Sequence, residues 1–187
     1  MNFKITIGIP CNRQFKSKTV ECLLNLISHS KHEFHFIIAT EGYTISENRA
    51  YIVAQASKNK SDYLLFIDDD MVFEPGTLDK LLACKKDIVG VSGNSRKLPL
   101  QSTVELMEKG EIPKELFRAK AVGAGIMLID MGVFDHIQKP YFNTETHEIG
   151  FTQMGEDSWF CRQADRKNIE VWCNPTIKVG HIGDYEY

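Results

Sequence analysis

The chain has 187 residues, of which 43% are hydrophobic and 25% charged, and its formal net charge is −3. That length and composition are typical of one globular domain with room for a substantial core, so we expect a single domain over residues 1–187. The weak negative charge argues against a protein built to bind nucleic acid, and no apolar run approaches the ~20 residues of a membrane span.

Four apolar runs in the first half of the chain are predicted strands, over residues 4–10, 34–40, 63–67 and 87–91. The first run lacks the features of a signal peptide, so a cytoplasmic location is expected. Three helical patterns separate the strands. In the first pattern, the apolar stripe predicted to be buried consists of Val20, Leu23, Leu24 and Ile27.

The second helical pattern begins at a capping box formed by Thr44 and Glu47, and the third begins after Pro75 and Gly76. Between them, the run YLLFI is continuously apolar, which is typical of a strand covered on both faces. The regular alternation of strands and helices predicts an α/β fold with a mostly parallel central sheet and helices on both faces.

Residues 92–119 break this pattern, because polar residues and prolines replace the regular periodicity. We expect a binding loop or lid there, with one short helix. Order returns with AVGAGIMLID, which is predicted to be one strand over residues 121–130. Within it, Gly123 and Gly125 indicate either close packing or a place where a ligand approaches the backbone.

The last part of the chain contains a predicted short helix at 131–137, a loop at 142–155 and a helix that begins at Glu156. Two late strands are predicted at 169–173 and 177–183. All of these segments follow one another without a repeat or a linker.

Three aspartates, Asp68, Asp69 and Asp70, directly follow the predicted strand at 63–67. If the strand continued through them, Asp68 and Asp70 would lie on one side and Asp69 on the other. Ligands of parallel α/β sheets bind beyond the carboxyl ends of the strands, and paired carboxylates suit Mg²⁺ or Mn²⁺. The alternative is a solvated acidic turn before the next helix.

Arg49 lies on the apolar stripe of the second helix, near its N-terminus. One interpretation is that its side chain extends along the apolar surface to reach solvent. The other is that it faces the same crevice as the aspartates, where a guanidinium group suits a phosphate.

Two further groups of ionisable residues are ambiguous by themselves. Glu156 and Asp157 stand in the first turn of a helix, where acids complement the helix dipole without any catalytic role. His181 lies between Gly180 and Gly183 at the end of a late strand, where it is either structural or turned toward a metal ion.

Taken in chain order, these segments resemble the GT-A glycosyltransferases, and among them the family-2-like group with its small bacterial and viral relatives. The resemblance covers nearly the whole chain. It rests on the strand that ends at Pro10, the helix with Asn48 and Arg49, and the segments FIDDDMVFEPGTL, GAGIMLIDMGVFDHI, GED and VGHIG.

The resemblance implies a nucleotide-sugar donor, with a UDP-sugar favoured, and a Mn²⁺ or Mg²⁺ cofactor. By analogy, the base would lie beside Pro10 and Glu41, and Arg49 would approach the diphosphate. Asp68 and Asp69 would contact the ribose or the metal. The metal ligands would be Asp68, Asp70 and His181.

In inverting members of the group, the acid of the corresponding pair is the general base. This implies Asp157 as the base here, with Glu156 supporting it or binding the acceptor, which would be a glycan, a lipid-linked or another hydroxyl. Two alternatives have different chemistry: a HAD-type phosphohydrolase, whose signature is also a strand followed by Asp-x-Asp, and a non-enzymatic module that binds a nucleotide sugar.

Overall fold

A computed structural model describes residues 2–11, 14–40, 42, 44–94, 102–146, 148 and 152–183. The strands are β1 (Lys4–Pro10), β2 (Glu33–Ala39), β3 (Tyr63–Ile67), β4 (Met71–Phe73), β5 (Ile88–Val91), β6 (Val104–Leu106), β7 (Phe117–Val122), β8 (Ile126–Asp130), β9 (Glu145–Thr146), β10 (Thr152–Met154), β11 (Val171–Asn174) and β12 (Val179–His181). The helices are α1 (Ser17–His29), α2 (Ile45–Lys58), α3 (Thr77–Ala83), α4 (Val133–His136) and α5 (Glu156–Asp165).

The centre of the fold is an eight-stranded sheet in the order β2-β1-β3-β8-β5-β11-β7-β6. Strand β1 pairs in parallel with β2 and β3, and β5 pairs in parallel with β11. Strand β8 lies antiparallel between β3 and β5, and β7 is antiparallel to both β11 and β6. The α/β class is therefore confirmed, and six of these eight strands run in one direction, but β7 and β8 run against them, so the sheet is mixed.

The sequence pattern does not reveal the reversed strand β8, which lies beside β3. A continuous apolar run such as YLLFI reports burial on both faces, and an inner antiparallel strand is buried in the same way as a parallel one. Residues 121–130 were expected to form one strand, but a turn at residues 123–125 separates β7 from β8. Strand β8 then enters the middle of the sheet against the direction of β3.

Helices cover both faces of the sheet, as predicted. On one face, α2 and α5 pack with Leu64 and Phe66 of β3 in one apolar cluster. On the other face, α1 and α3 pack with Leu65 and Ile67 of the same strand. This alternation of the side chains along β3 is the ordinary consequence of strand geometry.

The predicted first turn of α2 is confirmed, and the predicted stripe of α1 is partly wrong. Thr44 and Glu47 form the complete capping box. In α1 the buried residues are Thr19, Cys22, Leu23 and Leu26, while Val20 and Leu24 are 39% and 62% exposed. The buried face of α1 therefore includes the small side chains of Thr19 and Cys22 beside two leucines, which apolar periodicity does not reveal.

Three further differences concern short elements. Strand β4 was not predicted, and the expected loop at 142–155 contains the antiparallel strands β9 and β10. The described residues between 102 and 119 form β6, irregular structure and the start of β7 without a helix, whereas residues 95–101 lie outside the described part of the chain. Among the described residues, no helix is both long and apolar enough to cross a bilayer.

Candidate active site

The three aspartates form a turn between β3 and β4. The Asp68 N–H donates to the Gly125 carbonyl at 2.9 Å, and the Met71 N–H donates back to the Asp68 carbonyl at 3.3 Å. Because strand β3 ends at Ile67, the alternation expected for side chains of a continuing strand does not apply to this run. The turn joins the aspartates to the residues between β7 and β8.

Strand β12 brings the end of the chain to the same place. It pairs antiparallel with β4, with His181 opposite Met71, and the Ile182 N–H donates to the Asp70 carbonyl at 2.9 Å. The backbone of this short sheet therefore fixes His181 beside the aspartate turn, which is remote from it in sequence.

Arg49 is 1% exposed, and its guanidinium links two separate parts of the site. Nη2 donates to Asp68 Oδ1 at 2.9 Å, and Nε donates to Glu156 Oε1 at 3.2 Å. Nη1 donates to the Ala124 carbonyl at 3.4 Å, and the guanidinium carbon lies 5.0 Å from the centre of the Phe66 ring. Extension of the side chain into solvent is thus excluded, and its donors hold carboxylates where a diphosphate contact was predicted.

The ionisation of this cluster follows from burial and from mutual attraction. Burial alone would lower the pKa of the Arg49 guanidinium, but the charges of Asp68 and Glu156 more than offset this, so the pKa lies above its ordinary value. Burial also raises the pKa of the Glu156 carboxyl, although the Arg49 charge acts in the opposite direction. Arg49 is therefore a permanent cation that holds two carboxylates in place.

Asp157 has a different environment from Glu156, although the two are adjacent at the start of α5. Its Oδ1 accepts a hydrogen bond from the Ser158 N–H at 2.7 Å. Its Oδ2 lies 3.7 Å from the position that a Cβ atom on Gly123 would occupy. Glu156 is thus engaged by Arg49, while one oxygen of Asp157 is directed toward the turn between β7 and β8.

His181 is oriented by a backbone carbonyl. Its Nδ1 lies 2.7 Å from the Asn94 carbonyl oxygen, so Nδ1 carries the hydrogen and donates it. In the neutral ring, Nε2 is then left with its lone pair, which is the arrangement commonly found in histidines that bind metals.

Gly125 is the point on which Asp68 and His181 converge. The position that a Cβ atom on Gly125 would take lies 3.4 Å from Asp68 Oδ2 and 3.6 Å from His181 Nε2. The absence of a side chain at this residue leaves open the space that is within contact distance of both atoms. Gly125 therefore has a role in the shape of the site that close packing alone does not explain.

These residues line one small cavity of about 110 Å³. The predicted site residues that it brings together are Arg49, Asp68, Glu156, Asp157 and His181. Its lining does not include Asp69, which is partly exposed, or Asp70, which is 2% exposed. Among the residues that the structure describes, no three His, Cys, Asp or Glu side chains are grouped as a metal site. Of the predicted metal ligands, Asp68 and His181 line this cavity, and the role of Asp70 stays a prediction.

A larger cavity of about 500 Å³ lies at the carboxyl end of β2. It is lined by Ile38, Ala39, Thr40, Gly42, Glu47, Asn48 and Tyr51. Pro10 is buried at the end of β1 and pairs with Ala39, so it lies next to this lining. Glu41 lies outside the described residues, between two residues of the lining. The volume is within the range of small-molecule sites.

Two residues that the sequence did not indicate also shape the smaller cavity. Asn94 orients His181 through its carbonyl oxygen. Thr103 lines the cavity, and its Cβ lies 3.0 Å from the position that a Cβ atom on Gly123 would occupy. Asn94 follows β5, and a polar residue after a parallel strand is a usable signal. Thr103 stands in the irregular region, where no local pattern marks it.

Comparison with protein families and with curated proteins finds no match for this sequence. Solved structures do share its fold. A197 from STIV aligns with a TM-score of 0.65 at 17% identity, over 98% of this chain and 87% of that chain. The inositol-1-phosphate CTP transferase from T. maritima aligns with a TM-score of 0.55 at 14% identity, over 97% of this chain and 89% of that chain. The chain therefore has a mixed α/β fold that is similar to both, and at these identities the likeness concerns the fold alone.

Proposed function

We propose that the chain is a metal-dependent glycosyltransferase with a GT-A fold, which transfers a sugar from a nucleoside diphosphate sugar to an acceptor hydroxyl. A UDP-sugar is the favoured donor. The observation that carries this proposal is the convergence of Asp68 Oδ2 and His181 Nε2 on one side of Gly125. Asp157 lines the same cavity, and its Oδ1 accepts from the Ser158 N–H, whereas the hydrogen bonds of Arg49 go to Asp68, Glu156 and Ala124.

The donor set fits a divalent cation such as Mn²⁺ or Mg²⁺. Asp68 supplies a carboxylate oxygen and His181 supplies a neutral imidazole nitrogen, and the oxygens of a diphosphate would complete the coordination. A cation bound there would offset the charge that grows on the departing diphosphate. Arg49 supports this end of the site indirectly, because it fixes the orientation of Asp68.

In this proposal, Asp157 accepts a proton from the acceptor hydroxyl. As the hydroxyl oxygen forms its bond to the anomeric carbon, the bond from that carbon to the diphosphate breaks and the proton passes to the Asp157 carboxylate. Glu156 is bound to Arg49 and serves to position the cluster. The nucleoside of the donor would occupy the larger cavity, beside Pro10 and Glu41, with Asp69 near the ribose.

Nucleotidyl transfer is the second candidate, because the fold is also similar to that of a CTP transferase over 97% of this chain. The products separate the candidates. A glycosyltransferase releases a nucleoside diphosphate from a nucleotide sugar, whereas a nucleotidyltransferase releases pyrophosphate from a nucleoside triphosphate. A phosphohydrolase would release inorganic phosphate, and a binding module would release nothing.

We expect UDP to bind at least ~10-fold more tightly with Mn²⁺ than with EDTA, because Asp68 otherwise repels the diphosphate. Calorimetry in both conditions measures this. His181→Ala should weaken the manganese-dependent part, and excess Mn²⁺ should partly restore binding, since only one neutral ligand is lost. The control is His136→Ala, on α4 outside the cavity. Equal affinity with Mn²⁺ and with EDTA would contradict the metal site.

Gly125→Ala should weaken Mn²⁺ binding by roughly 10-fold, the scale on which groups around a metal site tune its affinity. The added methyl carbon would lie 3.4 Å from Asp68 Oδ2, 3.6 Å from His181 Nε2 and 3.2 Å from Met71 Sδ. A manganese titration followed by electron paramagnetic resonance measures the affinity. Gly110→Ala is the matched control, because a Cβ atom there meets nothing within 4 Å. Unchanged affinity in Gly125→Ala would exclude a metal at this point.

A further inference from the structure

Strand β2 forms one edge of the central sheet. Among the described residues it pairs with β1 alone, and this pairing is regular from Lys4 opposite Glu33 to Pro10 opposite Ala39. The other side of β2 presents backbone N–H and C=O groups along the whole strand. Soluble proteins usually protect such an edge with a lysine, a proline or a bulge, because an open edge pairs with any available strand.

The hydrogen bonds to β1 show which backbone groups of β2 point outward. The Glu33 N–H donates to the Phe3 carbonyl at 3.0 Å, and the Ala39 carbonyl accepts from the Cys11 N–H at 2.9 Å. In a strand, the N–H and C=O of one residue point to the same side, and successive residues alternate. The odd-numbered residues of β2 therefore face β1, and Phe34, Phe36 and Ile38 direct their backbone groups to the open edge.

The same three residues carry the apolar side chains of this edge. Phe34, Phe36 and Ile38 share one face of the sheet, and the rings of Phe34 and Phe36 lie 6.3 Å apart. Phe34 packs partly on the core, whereas Phe36 and Ile38 are 45% and 53% exposed. None of the three is a charged residue or a proline that would discourage pairing.

We propose that two copies of the chain pair antiparallel through β2, about a two-fold axis at Phe36. Phe36 is the middle residue of Glu33–Ala39, so this register overlaps the two strands completely. Phe36 then lies opposite its own copy, and Phe34 lies opposite Ile38 of the other copy, so that every apolar side chain of the row meets another.

The same register also allows the outward-pointing backbone N–H and C=O groups of the two strands to form hydrogen bonds with each other. Directly opposite residues of an antiparallel pair alternate between hydrogen-bonded and non-hydrogen-bonded pairs. With the axis at Phe36, the hydrogen-bonded pairs are those of Phe34, Phe36 and Ile38, the residues whose groups point outward. A register shifted by one residue would place side chains of opposite faces against each other.

A second copy of this chain is the partner because the edge is complementary to itself. A two-fold contact uses the same surface on both chains and closes after two copies, which removes the open edge from both sheets. An unrelated strand would have to supply its own matching apolar row. The dimer joins the two central sheets into one continuous sheet.

The first test is the mass of the protein in solution by light scattering at several concentrations. We expect twice the 21.3 kDa of the chain, and at least ~10-fold weaker association for Phe36→Lys and for Ile38→Lys. The control is Met107→Lys, because Met107 is 50% exposed and lies outside β2. Circular dichroism verifies the fold of each variant. A monomeric wild type, or a dimer lost in Met107→Lys and kept in both β2 variants, would overturn the proposal.

Cysteine cross-linking then tests the register. Under mild oxidation, Phe36→Cys should give a covalent dimer, and a mixture of Phe34→Cys with Ile38→Cys should cross-link more than either variant alone. Leu24→Cys is the control, since Leu24 is also exposed but lies on α1. Cross-linking of Leu24→Cys as efficient as that of Phe36→Cys would exclude pairing through β2.

Discussion

Arg49→Met should lower the free energy of unfolding by about 3–5 kcal/mol, which is the usual effect of removing one partner from a buried ion pair. The guanidinium is buried and holds both Asp68 and Glu156, so its loss leaves two carboxylates without their counter-charge. For a chain of this length, the melting temperature should fall by roughly 10 °C. Thermal and urea unfolding at neutral pH measure the change.

The matched control for this substitution is Arg118→Met. Arg118 also contacts two carboxylates, Asp165 and Glu170, but it is 41% exposed, so the change should be within about 1 kcal/mol. Arg49→Lys keeps the charge without the forked geometry and should lie between these two results. If Arg49→Met and Arg118→Met were equally stable, the buried cluster would not support the fold.

The loss of unfolding free energy caused by Arg49→Met should depend on pH. Burial raises the pKa of the Glu156 carboxyl, and Arg49 opposes that rise, so the pKa should rise further when Arg49 is removed. A folded-state pKa above the unfolded value of ~4.3 means that the folded variant binds more protons between those two values. Its stability therefore increases as the pH falls through that window. The difference from the wild type should therefore be largest at neutral pH and should shrink as the pH falls through that window.

The sequence indicates the candidate site well because of where its residues stand. Asp68 follows a strand, Glu156 and Asp157 begin a helix, and His181 ends a strand, so sheet geometry directs them to one edge. The structure brings them into one cavity. The capping box of α2 was also predictable, since Thr44 and Glu47 interact locally.

The features that the sequence does not indicate depend on contacts between distant residues. Arg49 meets Asp68 at a separation of 19 residues and Glu156 at 107, and His181 meets Asn94 at 87. No local pattern states which of two adjacent acids a buried arginine binds. The antiparallel direction of β8 also depends on contacts between distant strands. Apolar periodicity records burial and carries no information on strand direction.

Asp157→Asn should reduce sugar transfer by ~10²-fold or more and leave donor affinity unchanged, as expected for the loss of a general base. The asparagine side chain keeps the shape of aspartate, and its oxygen can still accept the Ser158 N–H that Asp157 Oδ1 accepts at 2.7 Å. The hydrogen bonds of Asp68, His181 and Arg49 go to other groups, and the Asp157 charge acts on Arg49 through space. The measurement is the dissociation constant of UDP and the turnover of a UDP-sugar, both over a manganese titration.

Two further substitutions on the same helix serve as comparisons for Asp157→Asn. Asp165→Asn, in the last turn of the same helix, removes a carboxylate that is 62% exposed and should change neither quantity. Glu156→Gln alters the partner of Arg49, so it should reduce stability as well as turnover, which separates the two adjacent acids. If Asp157→Asn lost donor affinity and recovered it with manganese, Asp157 would belong to the metal site. If it transferred sugar normally, its carboxylate would only complement the helix terminus, and a mechanism that retains the anomeric configuration would fit the site better.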